Sequence, residues 1–430
     1  MKPDAIAILA DDLTGANDTG VQFSRLGGAV LVLVSLERLP SHLEGRWDAV
    51  VVNTGSRNVA AGEAQGRVSA AHAYLQRQGV PLVYKKIDST LRGNLIPELK
   101  TLFARGVPAA ILAPAFPLNG RTVERGVLKV GGVPVDQTEA GRDGLSPVAS
   151  GDIPAMLAPA FPSAVGAIGL DVIAEGPAAL NRALAERLTT GINVIVCDAV
   201  TQSHLAAVAA AIRPRLPGPV LVGSAGLARE LAAAMLSRPG GHAARSACRR
   251  VLIAAGSRSA VTAGQVAQLR AAGLAVEVVL NPADVDAGWS DGRARALGAA
   301  ACDAFASGAD ESRGTRRLTL LLALGQDDGT TAEQFHLRSD RLNRVIGAAI
   351  AEAEQRWPGT GLVLTGGDVA AAAIEALGAE GIDLGAEVMP GIPMGTLCGG
   401  GAAGVPLVTK AGAFGSEDAL LLAVAALRGG

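Results

Sequence analysis

Residues 5–20, AIAILADDLTGANDTG, decide the fold class. The run AIAILA (5–10) has the length of a strand and no polar residue, as expected of a strand buried on both faces of a parallel sheet. Asp11 and Asp12 end it, and Thr14, Gly15 and Asn17 give the composition of a helix start. The same unit recurs. Strand-length apolar runs stand at 29–34 (AVLVLV), 48–53 (DAVVVN), 109–113 (AAILA), 192–197 (INVIVC) and 219–222 (PVLV). Others follow at 251–255 (VLIAA), 317–323 (RLTLLLA), 361–364 (GLVL) and 405–409 (VPLVT), each leading into a Gly-containing loop and an Ala/Leu-rich helical stretch. The pattern predicts an α/β protein of two domains, each with a largely parallel sheet flanked by helices. The polar stretch LSRPGGHAARSACRR (236–250) marks the boundary, giving domains over 1–240 and 249–430 with a hinge between them. VLKVGGVPV (127–135) alternates around Gly131-Gly132 and predicts a β-hairpin on the first domain.

Composition narrows the function. Of 430 residues, 49% are hydrophobic but only 12 are aromatic (7 Phe, 3 Trp, 2 Tyr), so the cores must be built from Ala, Val, Leu and Ile. Aromatic platforms for single-stranded nucleic acid are excluded. The 55 glycines show no three-residue period, which excludes collagen, and an apolar chain of net charge −2 is not disordered. With 38 Lys plus Arg against 40 Asp plus Glu, no basic excess points to nucleic acid or an acidic membrane. No apolar run approaches the ~18 residues of a membrane span, and Asp4, Asp11 and Asp12 around a short apolar run do not fit a signal peptide. Cys197, Cys248, Cys302 and Cys398 are far apart, with no Cys-x-x-Cys. Free thiols in a reducing compartment are expected, and with them a cytoplasmic protein.

Ligands of open parallel sheets bind at the carboxyl ends of strands, so the strand-end loops carry the chemistry. In the first half these loops are polar. Asp11 and Asp12 follow the first strand. One of them is expected to cap the helix and the other to face a cleft, as a Mg²⁺ ligand, a hydroxyl acceptor or a base. Arg57, in NTGSRN (53–58), is a forked donor for a carboxylate or phosphate. KKIDSTLRGN (85–94) packs Lys85, Lys86, Asp88, Ser89, Thr90, Arg92 and Asn94 into ten residues, an anion and polyol site in which Lys86 and Asp88 share a face. Asn119 and Arg121 add to it. The second half has glycine loops: GSRS (256–259), TGGD (365–368), PGIPMGTLCGGG (390–401) and TKAGAFGSED (409–418). TGGD opens an Ala-rich helix whose N-terminal amides suit phosphate. Gly399-x-Gly401-x-x-Gly404 matches the dinucleotide fingerprint, but it precedes a strand instead of opening a helix, and no P-loop motif occurs. The five histidines show no metal-ligand spacing.

Taken in order, ADDLTGANDTG, TGSR, KIDSTLRGN, NGRTV, GS-x-S, TGGD and PGIP-x-G…VTKAGAFG-x-ED-AL resemble the four-carbon acid sugar kinase family over residues 5–420. The resemblance implies an N-terminal acid-sugar-binding domain, a C-terminal ATP-binding domain and ligands in the cleft between them. It implies ATP-dependent phosphorylation of the 4-hydroxyl of a tetronate, D-threonate or D-erythronate, with Mg²⁺. The motif forms look closer to that branch than to the 3-oxo-tetronate kinases. By position, Asp11, Arg57 and Lys86, Ile87, Asp88 and Ser89 would contact the acid sugar. Ser257 or Ser259, the loop Thr365, Gly366, Gly367 and Asp368, and Gly412 would contact ATP. We assign the substrate carboxylate to Arg57 or Arg92, the phosphoryl charge to Lys86 and the base to Asp88 or Asp12. Arg125, Lys129 and Arg258 depart from the usual family pattern. The rivals are a non-catalytic sugar-acid sensor and a nucleotide-dependent oxidoreductase. A homodimer is expected from the frequency of twofold assemblies. Phe414 is the one aromatic in a motif loop of the second domain.

Overall fold

The computed structural model describes residues 4–45, 47–144, 146–236, 247–257, 259–286, 288–308, 319–324 and 332–429. Most of the expected hinge (237–246) and Arg258 lie outside the described residues. The chain divides into two compact units, residues 1–241 and 242–430.

The first unit holds β1 (Ile6–Ala10), β2 (Val30–Leu33), β3 (Ala49–Asn53), β4 (Leu82–Lys86), β5 (Ala110–Ala113), β6 (Arg121–Glu124), β7 (Val127–Val130), β8 (Val133–Pro134), β9 (Val165–Ile168), β10 (Val194–Cys197) and β11 (Val220–Gly223). Its helices are α1 (Leu13–Ser24), α2 (Ala61–Arg77), α3 (Leu95–Ala104), α4 (Ile153–Leu157), α5 (Leu170–Ala174), α6 (Pro177–Thr189), α7 (Gln202–Ile212) and α8 (Ala225–Met235). Strands pair in parallel in the order β2-β3-β1-β4-β11-β5-β10-β9. Every residue of β1 is buried, which is why its sequence carries no polar position. Ala10 pairs with Asn53 on one side and Lys86 on the other. The chain therefore changes its winding direction between β1 and β4, and the loops after β1, β3 and β4 meet there.

The expected hairpin is part of a three-stranded antiparallel sheet, β6-β7-β8, with Val130 opposite Val133 across Gly131-Gly132. The extra strand comes from the 119–126 segment, whose turn at Arg125-Gly126 is held by Asp198. That carboxylate accepts from the Arg125 N–H (2.7 Å) and the Gly126 N–H (2.8 Å).

The second unit contains β12 (Val251–Ala255), β13 (Val276–Leu280), β14 (Thr319–Leu324), β15 (Gly361–Thr365), β16 (Gly381–Met389), β17 (Ile392–Cys398) and β18 (Pro406–Lys410). Its helices are α9 (Ala260–Ala271), α10 (Asp291–Gly308), α11 (Ala332–Arg356), α12 (Gly367–Ala376) and α13 (Ala419–Leu427). The order is β13-β14-β12-β15-β18-β17-β16, parallel from β13 to β18 and antiparallel beyond. PGIPMGTLCGGG, expected as a loop, is thus largely strand β17. Its glycines and prolines mask the strand, which is paired on both sides by β16 and β18. Gly399–Gly404 forms the turn into β18 and opens no helix. The core of this unit is aliphatic, built on Ile253, Leu269, Leu321, Val363, Ile392, Val408 and Leu420. Its aromatics serve packing: Phe305 meets Trp357 edge-on at 5.2 Å, and Arg341 lies over Trp289 at 5.4 Å.

Candidate active site

In the first unit, the two aspartates after β1 are both satisfied from within the fold. Asp12 is the N-cap of α1 and accepts from the Gly15 N–H at 2.9 Å. Arg57, from the loop after β3, donates through Nε and Nη2 to Asp11 (2.8 and 2.9 Å) and through Nη1 and Nη2 to Asp12 (2.9 and 2.7 Å). The expectation of one spare aspartate facing a cleft is not realised. Asp11 is 2% exposed and lies under the guanidinium. Four of the five Arg57 N–H groups are committed, so its fork organises carboxylates of the protein itself. Burial opposes the Arg57 charge, but Asp11 and Asp12 hold it well above the ordinary guanidinium value. Burial likewise pushes Asp11 up, and Arg57, Lys85 and Lys86 more than offset it, leaving Asp11 below its usual range.

Lys85 and Lys86 are neighbours at the end of β4 and point to opposite faces. Lys85 turns into the core. Its Nζ pairs with Glu98 of α3 at 2.9 Å and donates to the Lys86 carbonyl, also at 2.9 Å. Glu98 in turn accepts from the Ser56 hydroxyl, and Ser56 meets Thr54, which donates to the Ala10 carbonyl at 2.8 Å. Burial pushes the Glu98 carboxyl up, against the pull of Lys85. This buried chain ties together the ends of β1, β3 and β4.

Lys86 points the other way. Its Nζ makes no hydrogen bond or ion pair among the described residues. A Cβ on Gly15 would sit 2.7 Å from that Nζ and 2.5 Å from Asp12 Oδ1. Only glycine at position 15 lets the ammonium and the carboxylate approach the start of α1 together.

Asp88 accepts from Arg92 Nε (2.7 Å) and Nη2 (3.3 Å) and from the Thr90 hydroxyl. Burial pushes its carboxyl up, but Arg57 and then Arg92 outweigh this and hold it far below the usual carboxylate range. Arg92 reaches Asp143 at 3.2 Å with Nη1 and is about one-third exposed. Ile87 is buried, so only its backbone could meet a ligand, and its N–H is already taken by the Gly223 carbonyl (3.0 Å). Ser89 is half-buried on the same turn. Asn94 pins the Arg57 loop through the Ser56 and Val59 carbonyls at 2.8 and 2.9 Å. Thr54, Ser56, Glu98 and Asp143 escaped the sequence reading. Glu98 lies on a helix twelve residues beyond Lys86 with nothing in its local pattern to announce burial.

In the second unit the loops after β12, β15 and β18 come together. The Gly256 N–H donates to the Thr365 carbonyl (3.2 Å) and the Gly366 N–H to the Lys410 carbonyl (2.9 Å). Ser259 caps α9 at the Thr262 N–H (3.1 Å) and donates to the Gly412 carbonyl at 2.6 Å. A Cβ on Gly412 would meet Ser257 Oγ at 1.9 Å, so the two loops touch only because position 412 is glycine. Gly366 begins α12 without a side-chain cap, which leaves first-turn amides for an anion. The Thr365 hydroxyl is buried and has no partner among the described residues, and Asp368 is exposed in the first turn. The predicted Ser257, Ser259, Thr365–Asp368 and Gly412 therefore converge. The Phe414 ring packs on the β16–β17 turn, close enough that a Cβ on Gly391 would meet it at 2.8 Å.

Two family models match the chain: a sugar-binding N-terminal domain over residues 6–231 and a nucleotide-binding C-terminal domain over residues 252–420. The chain is 37% identical to a D-threonate kinase of Bordetella bronchiseptica, over 98% of this chain and 97% of that protein. It is 31% identical to a D-erythronate kinase of Heliobacterium modesticaldum (96% and 95% covered) and 29% identical to a 3-oxo-tetronate kinase of Pseudomonas fluorescens (99% and 97%). A solved structure from Salmonella typhimurium LT2 superposes with a TM-score of 0.82 at 26% identity, over 97% of this chain and 98% of that one. Kinases matched from end to end leave no place for the sensor or the oxidoreductase, and the chain belongs to the four-carbon acid sugar kinase family, as a sugar-acid kinase with a nucleotide-binding C-terminal domain.

Proposed function

We propose that the protein transfers the γ-phosphoryl group of ATP to the terminal 4-hydroxyl of D-threonate, with D-erythronate as the nearest alternative acceptor. One observation carries the choice of acceptor: identity is 37% to the D-threonate kinase and 31% to the D-erythronate kinase, against 29% to the 3-oxo-tetronate kinase.

The geometry supports a division of labour. Arg92 keeps one N–H on each terminal nitrogen after pairing with Asp88 and Asp143, and we assign it the substrate carboxylate. Lys86, whose ammonium meets no partner among the described residues, neutralises charge on the transferring phosphoryl group. Phosphoryl transfer asks mainly for alignment and charge neutralisation. Asp12 stands beside Lys86 across Gly15 and is a quarter exposed, and its Oδ2 accepts from Arg57 Nη1 alone, so we assign to that oxygen's remaining acceptor site the proton of the 4-hydroxyl. Asp88, held strongly ionised by arginines, orients Arg92. Asp11 and Arg57 hold Asp12 in place. Ser257, Ser259, the Thr365–Asp368 loop and Gly412 receive ATP.

Among the described residues, no three His, Cys, Asp or Glu side chains gather to hold a metal. Asp11 and Asp12 are both occupied by Arg57. The described residues therefore do not build a cage for a resident cation, and Mg²⁺ would arrive on the ATP phosphates, where it needs few protein ligands.

The test is ADP release with D-threonate, D-erythronate, L-threonate and 3-oxo-tetronates as acceptors. The highest kcat/KM is expected for D-threonate, and a higher value for a 3-oxo-tetronate would reverse the assignment.

A further inference from the structure

Lys410, the last residue of β18, is 3% exposed, yet its ammonium meets no carboxylate among the described residues. It donates to the carbonyls of Ala411 (2.8 Å), Gly412 (3.1 Å) and Phe414 (3.1 Å), and lies 3.4 Å from the Thr262 hydroxyl. A cation in such a place is costly to bury, and an apolar side chain would pack there without that cost.

The same segment is gripped from α9. Ser259 and Thr262 both donate to the Gly412 carbonyl, at 2.6 and 2.8 Å. Gln265, three residues further along the same face, directs Nε2 at the carbonyls of Phe414, Gly415 and Ser416, at 3.1, 3.3 and 2.8 Å. Its Oε1 is buried with no partner among the described residues, so its amide is committed to donation. Five carbonyls of residues 411–416 are thus drawn inward. The amide N–H groups of Gly412, Ala413, Gly415 and Ser416 make no hydrogen bond among the described residues, and Ala413, Gly415 and Ser416 are exposed. Successive unpaired N–H groups on one side of a turn form a concavity for an anion.

We propose that Lys410 is a positioning residue for nucleotide binding: with Ser259, Thr262 and Gln265 it pulls the carbonyls of 411–416 inward and so presents that segment's N–H groups to the polyphosphate of ATP. The inference rests on the proposed placement of ATP in the second unit. The charge of Lys410 contributes as well, since it lies directly behind the Gly412 carbonyl. Burial alone lowers its pKa, to about 8. The groups facing it are the Thr262 hydroxyl from α9 and three carbonyls of its own segment, none of them titratable in that range. ATP binding should therefore weaken as pH rises through this value.

The experiment is calorimetric titration of the full chain with ATP at roughly pH 7 and roughly pH 9.5, spanning the ordinary and lowered lysine ranges. Lys410→Met is expected to bind ATP about tenfold more weakly at the lower pH, as expected when several oriented hydrogen bonds are lost. It should also lose most of the pH dependence of the unmodified chain and keep its KM for the sugar acid within about twofold. Should Lys410→Met fail to fold, Thr262→Val combined with Gln265→Met is expected to weaken ATP in the same direction. ATP affinity equal to that of the unmodified chain, in whichever variant folds, would overturn the inference, as would an unchanged pH dependence in a folded Lys410→Met. Absence of ATP binding by the unmodified chain would instead overturn the nucleotide placement on which it rests.

Discussion

Two adjacent lysines show how much is decided at a single position. Lys85 and Lys86 share a sequence context, but the strand sends one into the core against Glu98 and the other to the site. Removing one member of a buried pair strands the other charge, so Lys85→Met should cost about 3–5 kcal/mol in chemical denaturation. Lys86, 5% exposed, has no such partner to strand, so Lys86→Met should not destabilise the fold and should depress kcat. Equal destabilisation by the two would contradict the division. Asp12→Asn keeps a good helix cap. It should nevertheless lower kcat by roughly 10²–10⁴, the usual worth of a general base, while Asp18→Asn does not. A steady-state comparison in which Asp88→Asn alone lowers kcat would move the base to Asp88. The charge-bearing residues of KKIDSTLRGN were visible in the sequence because they cluster after a strand. The fate of Arg57 was not, because a guanidinium that binds substrate and one that binds two aspartates look the same until the neighbouring loop is placed.

Among the elements, most parallel strands were legible because burial on both faces leaves only apolar residues in them, as in β1, β2 and β12, whereas the less buried edge strands β9 and β13 were not picked out. The antiparallel pair β16–β17 was not. Gly381, Gly385, Gly391, Pro393 and Gly395 weaken every local strand signal, and the pairing with β18 overrides it. The clasp of α9 on residues 411–416 was hidden for a different reason. It is built from carbonyls, which any sequence supplies. Gly412→Ala would drive a methyl into Ser257 and should weaken ATP about tenfold, with sugar-acid KM little changed in the same kinetic assay. Lys410 titrates near 8 when folded and at 10.5 as a free side chain. Between those values the unfolded chain binds more protons, so this residue's contribution to stability rises with pH across that window. Denaturant midpoints of the unmodified chain and Lys410→Met should therefore converge from pH 8 toward 10.5. A constant gap would contradict a buried, charged lysine.

For the molecule as a whole, the two units carry different chemistries in different styles. The first uses charged side chains at strand ends; the second uses glycine loops and backbone amides. Glycine is denser in the second unit, 28 of its 189 residues against 27 of 241 in the first, and aromatics are scarce because both cores are made of short aliphatic strands. The asymmetry also predicts separable binding defects: Arg92→Met should raise the sugar-acid KM and leave ATP affinity within about twofold in calorimetry, because Arg92 is assigned to the substrate carboxylate. Transfer to the terminal hydroxyl is read from the bond that forms, by incubation with ATP and D-threonate followed by phosphorus NMR of the product. The phosphorus should couple to the two methylene protons of C4, marking a primary phosphate ester. Coupling to a single methine proton, or no new phosphate ester at all, would contradict transfer to the terminal hydroxyl.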